Sequence, residues 1–300
     1  MQVTILGNNS ALPAFGRHPT SQAVSICGEI ILIDCGEGTQ SQMQRYGIKW
    51  RNIHNILISH LHGDHYFGLP GLINSMSLLG RTIPLHLFAP AALLQIIDTI
   101  LQVADTVLSY ELIFHPLPDG TAVLADNPIY NITCFPVEHR IKCHGFLIET
   151  KNKGRRILPD KCNEYEIPNA YYNALKQGED YERKDGFIIK NELVTDEGPK
   201  VKKYAFCADT LFTKSFIHII KGADTIYHEC TYLEIDKEKA INRFHSTAAQ
   251  AAQIAILAET KQLLLGHFSS KYKELEPFEL EAAAIFANVK NGLEGVTYEI

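Results

Sequence analysis

Three hundred residues, 46% hydrophobic and 21% charged, give the profile of a soluble chain with apolar mass for one large domain or two similar halves. The formal net charge of −6 argues against general coating of nucleic acid, but not against a local basic patch. The seven cysteines are scattered, odd in number and free of any C-x-x-C pair, the opening MQVTILGNN carries no basic leader, and no apolar run reaches the roughly 18 residues of a membrane helix. A cytoplasmic protein with reduced thiols and no membrane partner is expected.

In chain order, QVTILG (2–7), AVSICGEIILIDCG (23–36), HNILIS (54–59), PLHLFA (84–89), IYNITCFPV (129–137) and GFLIET (145–150) read as strands. They are rich in Ile, Val and Leu and bounded by Gly, Asn or Pro. Helical spacing falls at 37–46, 68–79 and 90–102. Beyond residue 200, KYAFCAD (203–209), DTIYHEC (224–230) and KQLLLGH (261–267) read as strands, with helices at 213–221, 246–259 and 277–287. Two sets of strands with intervening helices predict an α/β fold of two sheets packed face to face, helices outside.

Between the two sets lies a segment of different character. Residues 151–203 hold 12 Lys and Arg against 10 Asp and Glu, whereas the remainder holds 16 against 24. Its opening, KNKGRRILPDK, has five cations and one acid. A connection this long inside a domain is functional or disordered.

The chemistry starts at SHLHGDH (59–65). His60 and His62 are two apart and share no helix face, so a loop beyond a strand end must turn both inward. Asp64 and His65 are adjacent and need a turn, for which Gly63 supplies the freedom. Two pairs of ligands suit two metal ions better than one. Imidazoles with a carboxylate are a zinc set, open also to manganese or iron. The competing reading is a surface histidine cluster without metal. Against it, His139, Asp209 and His267 each follow a strand-like run, so they can converge at one sheet edge. Five His and two Asp match two sites sharing one bridging carboxylate. His144 admits two readings, an extra ligand or a pocket wall. Asp34 also admits two, a hydrogen bond to a ligand imidazole or a turn. His18, His54, His86, His115, His218 and His228 are read as core, cap or surface residues.

H-x-H-x-D-H, with GNNSALP, LIDCGEGTQ, FCADT, HECTY, HSTAAQAA and LLLGHFSSKY in that order, resembles the ribonuclease Z family of the metallo-β-lactamase superfamily over essentially the whole chain. The resemblance implies one domain over 1–300, an αββα sandwich of two mixed β-sheets with outer helices, and a homodimer. It implies two zinc ions, with manganese as an alternative, and removal of the 3′ trailer of precursor tRNA to leave a 3′-hydroxyl. His60, His62 and His139 would bind one metal, Asp64, His65 and His267 the other, and Asp209 would bridge them. Asp64 would accept the water proton, and His245, oriented by Glu229, would protonate the leaving oxygen. Residues 151–200 correspond to an inserted arm that clamps tRNA, with Lys151, Lys153, Arg155, Arg156 and Lys161 as phosphate contacts. Pro168 is followed by Asn169 and Ala170 where the family often has Gly-Pro. Asn8 and Ser10 are candidates to face a phosphate, and Thr39, Gln40 and the SSKY run to line a 3′-end pocket. Helix 68–79 reads equally as a dimer contact or a core helix. The alternative activity is a dinuclear hydrolase of small phosphodiesters or esters, which would have no use for a long charged arm.

Overall fold

Most strands are buried on both faces, so their sequences run apolar instead of alternating; QVTILG is covered everywhere except at Gln2. The computed structural model describes residues 1–152 and 154–300. Gln2–Gly7 (β1), Ser21–Ile26 (β2), Glu29–Ile33 (β3), Ile53–Leu57 (β4), Leu85–Ala89 (β5) and Leu112–Pro116 (β6) form one sheet. Ala122–Asp126 (β7), Tyr130–Val137 (β8), Cys143–Thr150 (β9), Lys203–Cys207 (β10), Thr225–Glu229 (β11), Gln262–Gly266 (β12) and Val289–Asn291 (β13) form a second. Thr297–Glu299 (β14) returns to pair with β1.

Both are seven-stranded mixed sheets, in the orders β14-β1-β2-β3-β4-β5-β6 and β13-β12-β11-β10-β9-β8-β7. From β3 to β6, and again from β10 to β13, neighbours run parallel. Those parallel strands carry their C-terminal ends to a common edge. Between the sheets lies a core that includes Val24, Ile31, Leu57, Phe146, Tyr204 and Phe206. Outside the first sheet pack Thr39–Arg45 (α1), Leu69–Leu78 (α2) and Ala92–Val103 (α3). Outside the second packs Ala248–Leu257 (α4), whose start is fixed by a capping box between Thr247 and Gln250. Its alanines let it lie close against the sheet.

Several expectations need correction. The run 23–36 is two strands, because Cys27 and Gly28 both have positive φ (50° and 91°) and close a tight hairpin. The helix expected at 213–221 contracts to Ile217–Ile220. β6, β7, β13 and β14 carried no strong strand signal; β6 and β7 are half-covered and β13 and β14 are three residues long.

The charged arm is folded. Arg156–Ile157 pairs with Thr195–Asp196, and Tyr181–Glu182 with Ile188–Ile189. Cys162, Ile167, Leu175, Ile189 and Val194 make a small core of their own. Burying each such aliphatic side chain contributes about 1.5–3 kcal/mol against the entropy of ordering the loop. The arm meets the domain through a narrow neck. A Cβ on Gly198 would sit 1.7 Å from the Gly154 carbonyl oxygen, so only glycine fits there.

Candidate metal centre

The ligand-type residues converge because their strands end at the shared edge. β3 leads into Asp34, β4 into His60 and His62 and then into a short helix, Gly63–Tyr66, that carries Asp64 and His65 where a turn was expected, β8 into His139, β10 into Asp209 and β12 into His267, while Glu229 is the last residue of β11. Asp34 and His267 adopt left-handed backbone (φ 56° and 58°), which costs a non-glycine residue about 1 kcal/mol or more and persists where surrounding structure demands it. Gly63 has a different reason from the one expected. Its φ is not positive; a Cβ there would lie 2.2 Å from the Phe67 ring. The Phe67 ring, 63% exposed, lies over the bare backbone of Gly63 at the start of the short helix Gly63–Tyr66.

Two separate groups of facing ligand atoms result among the described residues. His60, His62, His139 and Asp209 form one, Asp64, His65 and His267 the other, and a third set, Asp209, His245 and His267, overlaps both. His60 Nε2 and His139 Nε2 lie 2.9 and 3.1 Å from His62 Nδ1. Asp209 faces both groups: its Oδ2 is 3.6 Å from His60 Nε2 and 3.5 Å from His65 Nε2, and its Oδ1 is 3.3 Å from His267 Nε2. Asp64 Oδ2 is 3.3 Å from His267 Nε2 and 3.6 Å from His65 Nε2. Atoms bound tetrahedrally at the usual zinc distances would stand about 3.3 Å from one another. The spacing fits a dinuclear site.

Hydrogen bonds behind the rings set their tautomers. The His65 Nδ1–H donates to Asp34 Oδ2 (2.7 Å). Ser59 Oγ donates to Asp34 (2.9 Å) and so accepts from His60 Nδ1–H (3.0 Å). Thr231 Oγ1 donates to Glu229 (2.9 Å) and accepts from His267 Nδ1–H (2.9 Å). The Phe244 carbonyl takes the His139 Nδ1–H (2.8 Å). Each arrangement leaves an Nε2 lone pair facing inward. His65 Nε2 is fully buried and has no hydrogen-bond partner, a loss that a cation would remove.

Electrostatics point the same way. Burial, followed by the charge on His65, pushes His60 well down; burial lowers His62 and His139, so these three rings are neutral bases. Burial alone would raise Asp64 and Asp209. Nearby histidines, His65 above all for Asp64 and His267 then His65 for Asp209, hold both carboxyls below the ordinary range. His65 is pulled up despite burial by Asp209, Asp64 and Asp34. Its proton occupies the place where bound positive charge is favoured. Asp34→Asn is expected to weaken metal binding about 10–100-fold without removing a ligand, as measured by competition with a chromogenic chelator. Unchanged affinity would deny Asp34 a supporting role.

Beside the centre, the His245 Nδ1–H donates to Glu229 Oε1 at 2.9 Å. Glu229 is 1% exposed. It also accepts from the amides of Thr210, Thr231 and Ser246 and from the Thr231 hydroxyl. Burial lowers the His245 pKa, but Glu229 outweighs it, and the ring is pushed up to about 9. His62, Asp64, His139, Asp209, His245 and His267 all line one open cavity of about 590 Å³.

Other expected residues lie elsewhere. Ser10 lines the cavity, but Asn8 is buried against the Gly292 carbonyl. Thr39 caps the Gly36 carbonyl, Gln40 bonds Ser75, and Lys271 and Tyr272 of SSKY both engage Asp236. His144 turns to the Pro118 carbonyl, away from the ligand groups. In the arm region Lys151 pairs with Asp126, Arg155 donates to Thr195, Arg156 pairs with Asp196 and Lys161 with Glu164. Lys153 lies outside the described residues. Sequence reasoning missed Ser59, Thr231, Arg140 and Arg243, single polar residues with no spacing rule to mark them.

Two facing mixed sheets with a His/Asp ligand set at their common edge define a metallo-hydrolase of the metallo-β-lactamase fold. The metallo-β-lactamase fold protein YhfI of Bacillus subtilis shares that architecture, with a TM-score of 0.69 at 18% identity over 99% of this chain and 98% of that one. A family model for the anti-Pycsar protein Apyc1 matches residues 1–115, which contain the 60–65 ligand loop. Ribonuclease Z of Bacteroides thetaiotaomicron is 40% identical over 95% of this chain and 90% of its own length. The short form of human tRNase Z superposes with a TM-score of 0.73 at 26% identity, covering 100% of this chain and 99% of that one. The chain belongs to the ribonuclease Z family.

Proposed function

We propose that this protein is a zinc-dependent endoribonuclease that hydrolyses the phosphodiester joining precursor tRNA to its 3′ trailer, leaving a 3′-hydroxyl on the tRNA. The observation that carries this reading is one cavity holding two ligand groups that share Asp209, with the His245–Glu229 pair at its side. His60, His62 and His139 would hold one ion, Asp64, His65 and His267 the other, and Asp209 both. The donor set suits zinc and admits manganese. When bound, two such ions supply charge to the phosphoryl oxygens and make water more acidic.

The chain's own groups do the rest. Asp64, anchored by the Ala11 amide (2.7 Å), takes the proton of the attacking water. His245, held through Nδ1 by Glu229, gives its Nε2 proton to the departing ribose oxygen. Glu229 stays ionised throughout and stabilises the charged ring.

In this reading residues 151–200 are a substrate-binding arm inserted in a single domain, and Lys151, Lys153, Arg155, Arg156 and Lys161 are its phosphate contacts. For the described four, RNA phosphates would exchange with partners already present, so each contributes modestly. Residues 155–197 can be excised because Gly154 and Gly198 already touch. The excised protein should lose about 10²-fold in kcat/KM on precursor tRNA, mostly through KM. Its hydrolysis of bis(p-nitrophenyl) phosphate should stay within about threefold. Equal loss on both substrates would count against a tRNA clamp.

A homodimer through α2 and α3 is part of the proposal. Leu78 and Leu79 at the end of α2, and Val103 and Val107 at and beyond the end of α3, are 80%, 55%, 85% and 90% exposed. Sedimentation of wild type against Val103→Glu tests it; identical monomers would refute it. Cytoplasmic residence fits the six buried thiols, Cys35, Cys134, Cys143, Cys162, Cys207 and Cys230. Among the described residues no helix is long and apolar enough to cross a membrane.

A further inference from the structure

We infer that the surface around Trp50, remote from the metal centre, is a binding site for a phosphorylated nucleoside, with the phosphate on Arg51 and Arg81 and the base against the indole. The inference goes beyond the endonuclease reading and does not depend on it.

The sequence supplies the first observation. Between Glu37 and Asp98 the chain holds a single acid, Asp64, which faces the metal centre, against four cations, Arg45, Lys49, Arg51 and Arg81. In a chain of net charge −6 that stretch is locally basic. Folding gathers three of the four cations. Lys49 and Arg51, with Trp50, line a cavity of about 530 Å³. Trp50 and Arg51 also line a second cavity, of about 200 Å³, together with Arg81. Neither lining contains a carboxylate.

Arg81 supplies the second observation. It is 2% exposed. Its Nε and Nη2 donate to the Ile83 and Pro84 carbonyls, both at 2.8 Å, but its buried Nη1 has no hydrogen-bond partner. No carboxylate pairs with it among the described residues. The Tyr110 ring lies 5.4 Å from its guanidinium carbon, a weaker support than an anion. A buried charge without a counter-charge is costly, and an anion in the adjoining cavity offsets that cost. Lys49 and Arg51 also lack an ion-pair partner among the described residues, whereas Arg156, Lys161 and Lys190 of the arm are paired.

The chemistry of the lining selects the ligand. Guanidinium groups hold phosphate through paired N–H donors. The larger cavity adds Met43, Ile48 and the indole, and stacking on an aromatic ring is open to any base. The Arg51 guanidinium already lies over the Trp50 ring, 5.3 Å from its centroid, so a phosphate held there brings its nucleoside to the indole. A bare phosphate would leave the apolar lining unused, and an apolar ligand would leave the cations unused. The larger volume is within the range of small-ligand sites. Trp50–Asn52 precede β4, whereas His60 and His62 follow it, and a five-residue strand spans about 16 Å. No residue of either lining borders the catalytic cavity. The nucleotide is either free or an unpaired one within RNA.

Trp50 is the only tryptophan, so its fluorescence reports on the site. Titrating the metal-loaded protein with adenosine 5′-monophosphate should give a saturable change. Adenosine and inorganic phosphate should each bind at least about tenfold more weakly. Lys49→Ala and Arg51→Ala should each raise Kd about 5–10-fold, and Trp50→Ala, followed by calorimetry, about tenfold. Hydrolysis of bis(p-nitrophenyl) phosphate should not change in these variants. Arg81 is left intact because it also holds two carbonyls. Single-stranded oligoadenylate separates the sources. Tighter binding than the monophosphate, weakened by the same variants, assigns the site to RNA; equal or weaker binding assigns it to a free nucleotide. No saturable change with either probe, or binding that Lys49→Ala and Arg51→Ala leave intact, would overturn the site. Monophosphate binding abolished by Asp209→Ala but kept by Arg51→Ala would overturn it too, by placing the nucleotide in the metal centre.

Discussion

Asp209→Ala is expected to lower hydrolysis of both precursor tRNA and bis(p-nitrophenyl) phosphate by about 10³-fold or more, the scale of losing the charge stabilisation of a two-ion site. Asp209 is 2% exposed and, among the described residues, is the one carboxylate facing both ligand groups. Without it, the His60 group consists of imidazoles alone and the two groups have no common anion. Bound metal should fall below two per chain in the same samples. Asp209→Asn keeps the shape and removes the charge, so it should resemble the alanine variant in metal content. Because the defect lies in the centre and not in RNA recognition, both substrates should suffer alike. Full activity with Asp209 removed would refute the shared-carboxylate assignment.

His245→Ala is expected to split the same two substrates. Loss of the acid should reduce kcat on precursor tRNA by about 10²–10⁴, because a ribose oxygen leaves poorly without a proton. p-Nitrophenolate departs unprotonated, so the chromogenic diester should lose no more than about threefold. The pH profile supplies a second readout. Glu229 is the main cause that raises His245, so the ring remains an acid through neutral pH. With Glu229→Gln the proton is held less strongly, and the alkaline limb of kcat/KM on RNA should move to lower pH. Equal losses on both substrates would make His245 a structural residue, since its loop also carries Ser246, which donates to Glu229 and to the Thr210 carbonyl.

The sequence was informative where chemistry leaves a spacing. His60, His62, Asp64 and His65 crowd six positions after a strand, the first two in a loop and the last two in the short helix Gly63–Tyr66, and His139, Asp209 and His267 follow strong apolar strands, so their convergence could be anticipated. What surrounds them could not. Ser59 and Thr231 orient the His60 and His267 rings, yet an isolated hydroxyl has no periodicity. Gly63 looked like a source of backbone freedom, yet its φ is not positive and its nearest neighbour is the Phe67 ring one turn further on. β6 and β7 escaped notice because half-covered edge strands alternate weakly, and β13 and β14 because they are short. The arm read as charged and loop-like because its core is only five buried side chains, widely spaced in a polar segment.

The most direct measurement is incubation of precursor tRNA with the purified protein and mapping of every new 3′ end, with and without a metal chelator. The account predicts one new end, a 3′-hydroxyl immediately after the discriminator base, lost on chelation and restored by Zn²⁺ or Mn²⁺. No cleavage, cleavage that survives complete metal removal, or a 3′-phosphate on the tRNA would contradict it.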